Sequence, residues 1–273
     1  MAGSGEARPA ERDALGYQGT RVVVTGAASG IGEATATLLG DLGAEVIGLD
    51  RHEPAVHLAR WVHVDLRDAA SIGAAAAAVG GRVDGVFNCA GLPQTSPGLD
   101  VLLAGFVGPR ELTERLLPTM VPGGAVVCVS STVAYRWVDD RDRLDELVAL
   151  DTFDDAVVWC RTHLGTDAQN YALTKGAVIL YTARRAVELA PRGVRINCVA
   201  PGPTLTPMTE QFRRDVPGYM ERLPLPMGRM ADATEQAWVL AFLGSRRASF
   251  VTGTTVYVDG GFVAGLTTGM LSR

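Results

Sequence analysis

Lysine is almost missing from this chain of 273 residues. Of the 25 basic residues, 24 are Arg and one is Lys, at position 175. Arg therefore provides nearly all of the positively charged side chains. A compact ammonium with three rotatable donors can serve two oxygen partners together, which the planar guanidinium fork does less well. The scarcity marks the surroundings of Lys175 as a candidate functional site.

Positive charge and long apolar runs are also scarce. The chain has 30 acidic residues, a formal net charge of -5 and a pI near 5.4, which argues against a nucleic-acid or anionic-membrane partner. No apolar run approaches the roughly 20 residues of a membrane span. Residues 1–18 lack the apolar core of a signal peptide. We expect a flexible leader over 1–18 and a cytoplasmic protein.

Cysteine and histidine number only four each. The cysteines show no C-x-x-C spacing, and the histidines show no H-E-x-x-H pattern. We expect the four cysteines to be reduced thiols in the core, and we expect no metal site.

Apolar runs of strand length alternate with segments of helical pattern. This order predicts a single α/β domain of the doubly wound Rossmann type, a seven-stranded parallel sheet with helices on both faces. The domain should span 19–265, followed by a tail over 266–273. The predicted strands span 21–25, 45–49, 61–64, 83–88, 125–130, 194–199 and 255–258. The predicted helices span about 30–42, 68–79, 99–116, 170–188 and 233–243.

A glycine-rich turn follows the first predicted strand. Residues 25–32 read Thr-Gly-Ala-Ala-Ser-Gly-Ile-Gly and lead directly into a helix. Its free amides and dipole favour a pyrophosphate. Asp50 ends the next strand, where a carboxylate binds a ribose 2'-hydroxyl and repels a 2'-phosphate. We expect NAD, although the guanidinium of Arg51 leaves NADP as an alternative.

Tyr171 precedes Lys175 by four residues, so both side chains share one helix face. An ammonium stabilises a phenolate, and we expect it to lower the pKa of Tyr171 from about 10 toward neutrality. Tyr171 would then act as a general acid/base. The alternative is a half-buried helix start with an incidental Lys.

Six ordered motifs resemble the short-chain dehydrogenase/reductase family over about residues 19–262. Besides the glycine turn and the Tyr-x-x-x-Lys pair, these are Asn88-Cys89-Ala90-Gly91, Ser130-Ser131, Pro201-Gly202 and Asp259-Gly260-Gly261. The resemblance implies that Tyr171 is the acid/base, that Ser131 donates to the substrate oxygen and that Lys175 binds the nicotinamide ribose. The implied cofactor residues are Gly26, Ser29, Gly30, Ile31, Gly32, Asp50, Arg51, Asp65, Leu66, Asn88, Ala90, Gly91, Tyr171, Lys175, Pro201, Gly202, Thr204 and Thr206.

Simpler roles stay open for three of these residues. Ser131 could cap a loop, Asp65 could be a solvated acid, and Asn88 could bridge strands.

The chain departs from the family pattern at two places. Gly105 occupies the position of an Asn that usually holds a water of the proton relay. In addition, 40 residues separate Ser131 from Tyr171, where about a dozen are usual. The extra segment, about 135–168, carries nine acids and four Arg and has the spacing of one or two amphipathic helices. We expect it to form a helical cover that shapes the substrate pocket and alters how subunits meet. The alternative is a disordered acidic loop.

The chain resembles the branch that contains bacterial 3α-hydroxysteroid dehydrogenase/carbonyl reductase and coniferyl-alcohol dehydrogenase. This resemblance rests on the length of the segment together with Asn-Cys-Ala-Gly-Leu-Pro at 88–93 and Ala-Pro-Gly-Pro at 200–203. The resemblance implies an NAD-dependent oxidoreductase for a bulky apolar or aromatic alcohol or ketone, assembled as a homodimer or homotetramer. Gly105 motivates the alternative of a catalytically weak NAD-binding sensor or scaffold.

Overall fold

A computed structural model describes residues 13–271 and contains one seven-stranded parallel sheet. Its strands are β1 (Arg21–Thr25), β2 (Glu45–Asp50), β3 (Arg60–His63), β4 (Val83–Asn88), β5 (Met120–Val129), β6 (Arg195–Pro201) and β9 (Thr255–Val258), and two short strands, β7 (Thr204–Leu205) and β8 (Ala231–Asp232), form a separate pair. The strand order in the large sheet is β3-β2-β1-β4-β5-β6-β9, and every neighbouring pair is parallel. The predicted fold class is confirmed.

Helices cover both faces of the sheet. The helices are α1 (Gly30–Asp41), α2 (Ala69–Val79), α3 (Gly98–Leu102), α4 (Gly108–Leu116), α5 (Arg141–Val148), α6 (Phe153–Thr162), α7 (Asp167–Leu189), α8 (Pro207–Asp215), α9 (Tyr219–Arg222), α10 (Ala233–Gly244) and α11 (Phe262–Thr267). Single 3-10 turns cover Leu117–Thr119, Thr132–Ala134, Trp137–Asp140, Ala190–Arg192 and Arg246–Ala248.

Strand β1 shows why the strands are apolar along their whole length. Val23 points into a core shared with α2, α4 and α7, while Val22 and Val24 point into a second core shared with α1 and α10. All three valines are essentially inaccessible to water. Successive strand residues face opposite sides, so a sheet with helices on both faces needs apolar residues at consecutive positions.

Two predicted elements differ in detail from the structure. Strand β5 begins at Met120 rather than at 125, because the chain pairs with Val83 before a bulge and the main ladder from Ala125. The helix predicted over 99–116 is interrupted by a π-helical turn, Leu103–Val107, between α3 and α4. A π-turn inside a helix often accompanies a functional site, and this one contains Gly105.

The boundary of the predicted leader is too late. Residues 1–12 lie outside the described residues, but Tyr17 is buried and its hydroxyl donates to the Ala241 carbonyl at 2.6 Å. The aromatic ring fills the core beside α10, so the domain already includes residues 13–18. At the other end, α11 extends to Thr267 and the Leu271 amide donates to the Gly265 carbonyl at 3.0 Å. The described part of the predicted tail is therefore structured.

The long segment between Ser131 and Tyr171 contains α5 and α6. Leu144, Leu147 and Phe153 join the core that includes α7, and Leu144 lies against Gly176 of α7. Arg110 of α4 is buried and donates to the carbonyls of Leu150 at 2.7 Å and Thr152 at 3.4 Å. The inserted helices are therefore fastened to the body of their own chain.

Within residues 13–271, no helix combines the length and apolar character needed to cross a bilayer.

Candidate active site

A large cleft opens at the carboxyl ends of the strands and has a volume of about 1160 Å³. The strand order reverses between β1 and β4. Ligands of doubly wound proteins bind at such a switch point. The glycine turn and the Ser131, Tyr171 and Lys175 side chains all line this cleft.

Backbone geometry explains the glycines of the turn after β1. Gly26 has a φ of 71°, which disfavours any other residue. A Cβ on Gly26 would lie 2.9 Å from Ala90 Cα, and one on Gly32 would lie 2.0 Å from the Gly26 carbonyl oxygen. The turn is therefore tight, and it presents bare backbone to the cleft.

The amino end of α1 faces the same space. Ser29 is the N-cap residue, but its side chain makes no capping hydrogen bond, and Ser29, Gly30 and Ile31 line the cleft. Uncapped amides and the positive end of a helix dipole form a site for an anionic group. The turn therefore fits a dinucleotide pyrophosphate.

Asp50 is held in a fixed orientation at the end of β2. Its Oδ2 accepts from the Ala28 amide at 3.1 Å, and its Oδ1 accepts from the His52 amide at 3.0 Å. Arg51 and His52 also line this end of the cleft. The carboxylate thus joins the glycine turn to the next loop and presents negative charge beside it.

An arginine that sequence reasoning missed fixes Asp65. Arg67 Nε and Nη2 donate to the two carboxylate oxygens of Asp65 at 3.0 and 2.7 Å, and its Nη1 donates to Asp100 Oδ2 at 2.7 Å. The Arg67 hydrogen bond holds the pKa of Asp65 below its usual value. Asp65 is not the simple solvated acid left open above. The Asp65-x-Arg67 spacing in the sequence could have indicated this pairing.

Helix α7 carries Tyr171 and Lys175 into the cleft. A capping box between Thr166 and Gln169 starts this helix, which satisfies its first amides. Farther along, the Ser130 hydroxyl donates to the Lys175 carbonyl at 2.7 Å, and Lys175 Nζ donates to the Val129 carbonyl at 3.2 Å. The end of β5 and the first turns of α7 are therefore locked together.

The expected effect of Lys175 on Tyr171 is wrong for this structure. Burial raises the pKa of Tyr171, and a hydrogen bond with Ser131 only partly opposes that rise. Burial also lowers the pKa of Lys175 to about 8. The Lys175 ammonium lies 5.6 Å from the centroid of the tyrosine ring and donates to a carbonyl instead. Removal from water is therefore the largest cause of the pKa shift at both residues.

Ser131 has the capping role that the sequence left open, and it also lies in the cleft. Its side chain accepts from the Val133 amide at 3.3 Å and so caps the turn Thr132–Ala134. It also lines the cleft, where it lies close enough to Tyr171 to oppose part of the rise in the pKa of that residue. The cap fixes the hydroxyl beside the tyrosine.

Asn88 is the one expected cofactor residue that does not line the large cleft. Its Nδ2 donates to Thr113 Oγ1 of α4 at 2.8 Å, and its side chain is buried. The amide therefore connects β4 to the helix behind the sheet. Its Nδ2 also donates to Cys128 Sγ of the neighbouring strand β5 at 3.7 Å, which is the bridge between strands left open above. Among the described residues, Asn88 Oδ1 has no hydrogen-bond donor.

Every other expected site residue lines the cleft. Sequence reasoning missed the opposite wall, which comes mainly from α8, α9 and neighbouring loops and which no short motif marks. Of the inserted segment 135–168, Tyr135 alone among the described residues lines the cleft, so α5 and α6 do not form the expected pocket cover. The additional lining residues include Leu92, Pro93, Val133, Tyr135, Met208, Phe212, Arg214, Tyr219, Arg222, Leu223 and Phe262.

No cluster of three or more His, Cys, Asp or Glu side chains that could hold a metal ion occurs within the described part of the chain.

The fold and the cleft define a Rossmann-type oxidoreductase. Residues 20–138 match the family described as short chain dehydrogenase, and residues 159–263 match the related family described as enoyl-(acyl carrier protein) reductase. The chain belongs to the short-chain dehydrogenase/reductase family, which confirms the resemblance drawn from the motifs.

Named relatives match over nearly their whole length. Coniferyl-alcohol dehydrogenase of Pseudomonas sp. strain HR199 is 33% identical, and 3-alpha-hydroxysteroid dehydrogenase/carbonyl reductase of Comamonas testosteroni is 34% identical. Each comparison covers 89% of this chain and 96% of the relative. A crystal structure of the 3-alpha-hydroxysteroid dehydrogenase from Pseudomonas sp. B-0831, complexed with NADH, superposes with a TM-score of 0.80. It is 32% identical, and the superposition covers 93% of this chain and 100% of that one.

Proposed function

We propose that this protein is an NAD(H)-dependent oxidoreductase that interconverts a bulky apolar or aromatic alcohol and its carbonyl compound. One observation carries the proposal: the glycine turn with Asp50 and the Ser131, Tyr171 and Lys175 group line the same cleft. A dinucleotide seated on the turn would therefore share the cleft with an acid/base group.

The residues at the glycine end fit an NAD(H) molecule. The uncapped amides of α1 would hold the pyrophosphate, Asp50 a ribose diol, and Asp65 and Leu66 the adenine. When bound, NAD(H) supplies hydride donor and acceptor chemistry. The NADH complex of the structural relative supports the same cofactor here.

Tyr171 and Ser131 are the groups that would handle the substrate oxygen. Burial raises the pKa of Tyr171, so its hydroxyl holds a proton that it can donate to a carbonyl oxygen. Ser131 is fixed by its turn and can donate a second hydrogen bond to that oxygen. General acid catalysis by a positioned side chain contributes about 10² to 10⁴ in rate.

The apolar lining of the cleft supports a large apolar substrate. The cleft is lined by the apolar side chains of Leu92, Val133, Met208, Phe212 and Phe262. Its volume of about 1160 Å³ can hold both a dinucleotide and a further molecule. The relatives named for coniferyl alcohol and hydroxysteroids support a flat, bulky alcohol.

We further propose a cytoplasmic homo-oligomer, dimer or tetramer, without a nucleic-acid or membrane partner. The acidic net charge supports the absence of polyanionic partners. Exposed aromatic side chains at Trp238, Phe242 and Phe250 support a contact with another copy.

The test is NADH formation by the purified protein with NAD and a panel containing coniferyl alcohol, a 3α-hydroxysteroid, cyclohexanol and ethanol. We expect turnover with kcat/KM higher for the bulky alcohols. Binding of NADH without turnover of any panel member would instead support the sensor or scaffold alternative, which Gly105 favours.

A further inference from the structure

The wall of the cleft formed by α8 and α9 contains two arginines. Arg214 lies in the last turn of α8 and Arg222 ends α9, and both line the cleft that contains Tyr171. The other charged lining residues lie at the end of β2, in the loops after β2 and β3, or in α7. Among the described residues, this wall therefore presents positive charge.

Neither guanidinium group has an ion pair or a side-chain hydrogen bond among the described residues. Their neighbours differ in this respect. Arg213 pairs with Glu210 at 3.3 Å, and Asp215 accepts from the Thr95 hydroxyl at 2.7 Å. Thus Glu210 and Asp215, two acids of the same segment, already have partners.

An aromatic contact joins the two helices. The Phe212 and Tyr219 rings meet edge to face, with centroids 5.2 Å apart, and both rings line the cleft. Arg214 and Arg222 therefore belong to two helices that are in aromatic contact and that both contribute to the lining of the cleft. A purely apolar ligand against that wall would remove water from unpaired cations, and that desolvation opposes binding.

A carboxylate would remove this cost. It matches the planar fork of Arg, and such charge-assisted hydrogen bonds are about twice as strong as neutral ones. We propose that Arg214 and Arg222 bind a carboxylate carried by the substrate, remote from its alcohol. The substrate class is then a hydroxy acid with a bulky apolar body. This inference rests on the proposed function.

The probes are lithocholate, a 3α-hydroxysteroid with a carboxylate side chain, and its methyl ester. Wild-type protein and the Arg214→Gln, Arg222→Gln and double variants are compared with Arg161→Gln. Arg161 is an exposed arginine of α6 outside the cleft, without a partner among the described residues. Exposed positions keep the risk of unfolding low, and a thermal melt checks each variant.

We expect wild-type kcat/KM to be about tenfold or more higher for the acid than for the ester, the range of one charge-assisted hydrogen bond. The double variant should lose this preference through a higher KM for the acid, with the ester unchanged. Arg161→Gln should behave like wild type. High salt should weaken the preference for the acid.

Equal kcat/KM for acid and ester in the wild type would overturn the inference, as would equal losses for both compounds in the double variant. If neither steroid is oxidised, inhibition of coniferyl-alcohol oxidation by each compound takes the place of turnover, and equal inhibition also overturns it. Failure of every alcohol in the panel to reduce NAD would instead contradict the proposed function.

Discussion

The side chain of Thr174 lies where a side chain at position 105 would have to go. A Cβ built on Gly105 would lie 2.6 Å from Thr174 Cγ2. Thr174 is fully buried, and its hydroxyl donates to the Asn170 carbonyl at 2.7 Å, so its methyl group cannot turn away without breaking that bond. The glycine in the π-turn of one helix and the threonine beside Lys175 in another are therefore matched.

This match predicts the cost of placing an Asn at position 105. Gly105→Asn should destabilise the protein by about 1–3 kcal/mol, the range for overpacking a core. Thr174→Ser keeps the hydroxyl and removes the clashing methyl, so the double variant should recover part of the loss. Urea unfolding of all four proteins measures the coupling.

Gly40→Asn is the control for the glycine replacement, because a Cβ on Gly40 has nothing within 4 Å. It should change the free energy of unfolding little. If Gly105→Asn were as stable as the wild type, Gly105 and Thr174 would not be matched. The same would follow if the changes in the free energy of unfolding of the two single variants simply added up in the double variant.

Lys175 should impose a pH dependence on stability. Its pKa is about 8 in the folded protein and about 10.4 in an unfolded chain. Between these values the unfolded chain binds more protons, so stability rises with pH. Relative to Lys175→Met, the wild-type free energy of unfolding should increase from pH 8 to 10 by at most about 1.4 kcal/mol per pH unit.

The comparison is made by urea unfolding of both proteins at several pH values. Other titrating groups are common to the two and cancel in the difference. Below pH 8 the difference should be flat. If the free energies of unfolding of the wild type and Lys175→Met changed in parallel from pH 8 to 10, Lys175 would not be desolvated as described.

Asp50 should set the preference for NAD over NADP. The wild type should show a higher kcat/KM with NAD, because the carboxylate repels a 2'-phosphate. Asp50→Ser should raise kcat/KM for NADP relative to NAD. Adding Arg51→Gln to that variant should reverse part of the gain if the guanidinium binds the phosphate.

Steady-state kinetics with both cofactors decide this point, and a melt is needed because Asp50 also accepts from the Ala28 and His52 amides. A wild type that prefers NADP would show that Arg51 dominates.

The sheet could be predicted because its strands are continuously apolar and its helices alternate with them. The glycine turn could be predicted because a strand, three glycines and a helix follow each other within a few residues. The orientation of Asn88 could not, since its partner Thr113 lies 25 positions away. The raised pKa of Tyr171 also depends on burial that the Tyr-x-x-x-Lys spacing does not encode.

The arginines of the site show the same limit. In the sequence, Arg67, Arg214 and Arg222 resemble most of the other 21 Arg. Only the folded structure separates them. Arg67 is bound to two acids, whereas Arg214 and Arg222 line the cleft without side-chain partners among the described residues.

The central claim is that the Tyr171 hydroxyl transfers the proton. The most direct measurement compares kcat for NADH formation and the Kd of NADH in wild type, Tyr171→Phe and Tyr181→Phe. Tyr181 is the control because its hydroxyl donates to Glu114 at 2.7 Å and does not line the large cleft. We predict that Tyr171→Phe lowers kcat by about 10² to 10⁴ with a Kd close to wild type, while Tyr181→Phe keeps its kcat. A Tyr171→Phe protein with wild-type kcat would contradict the account.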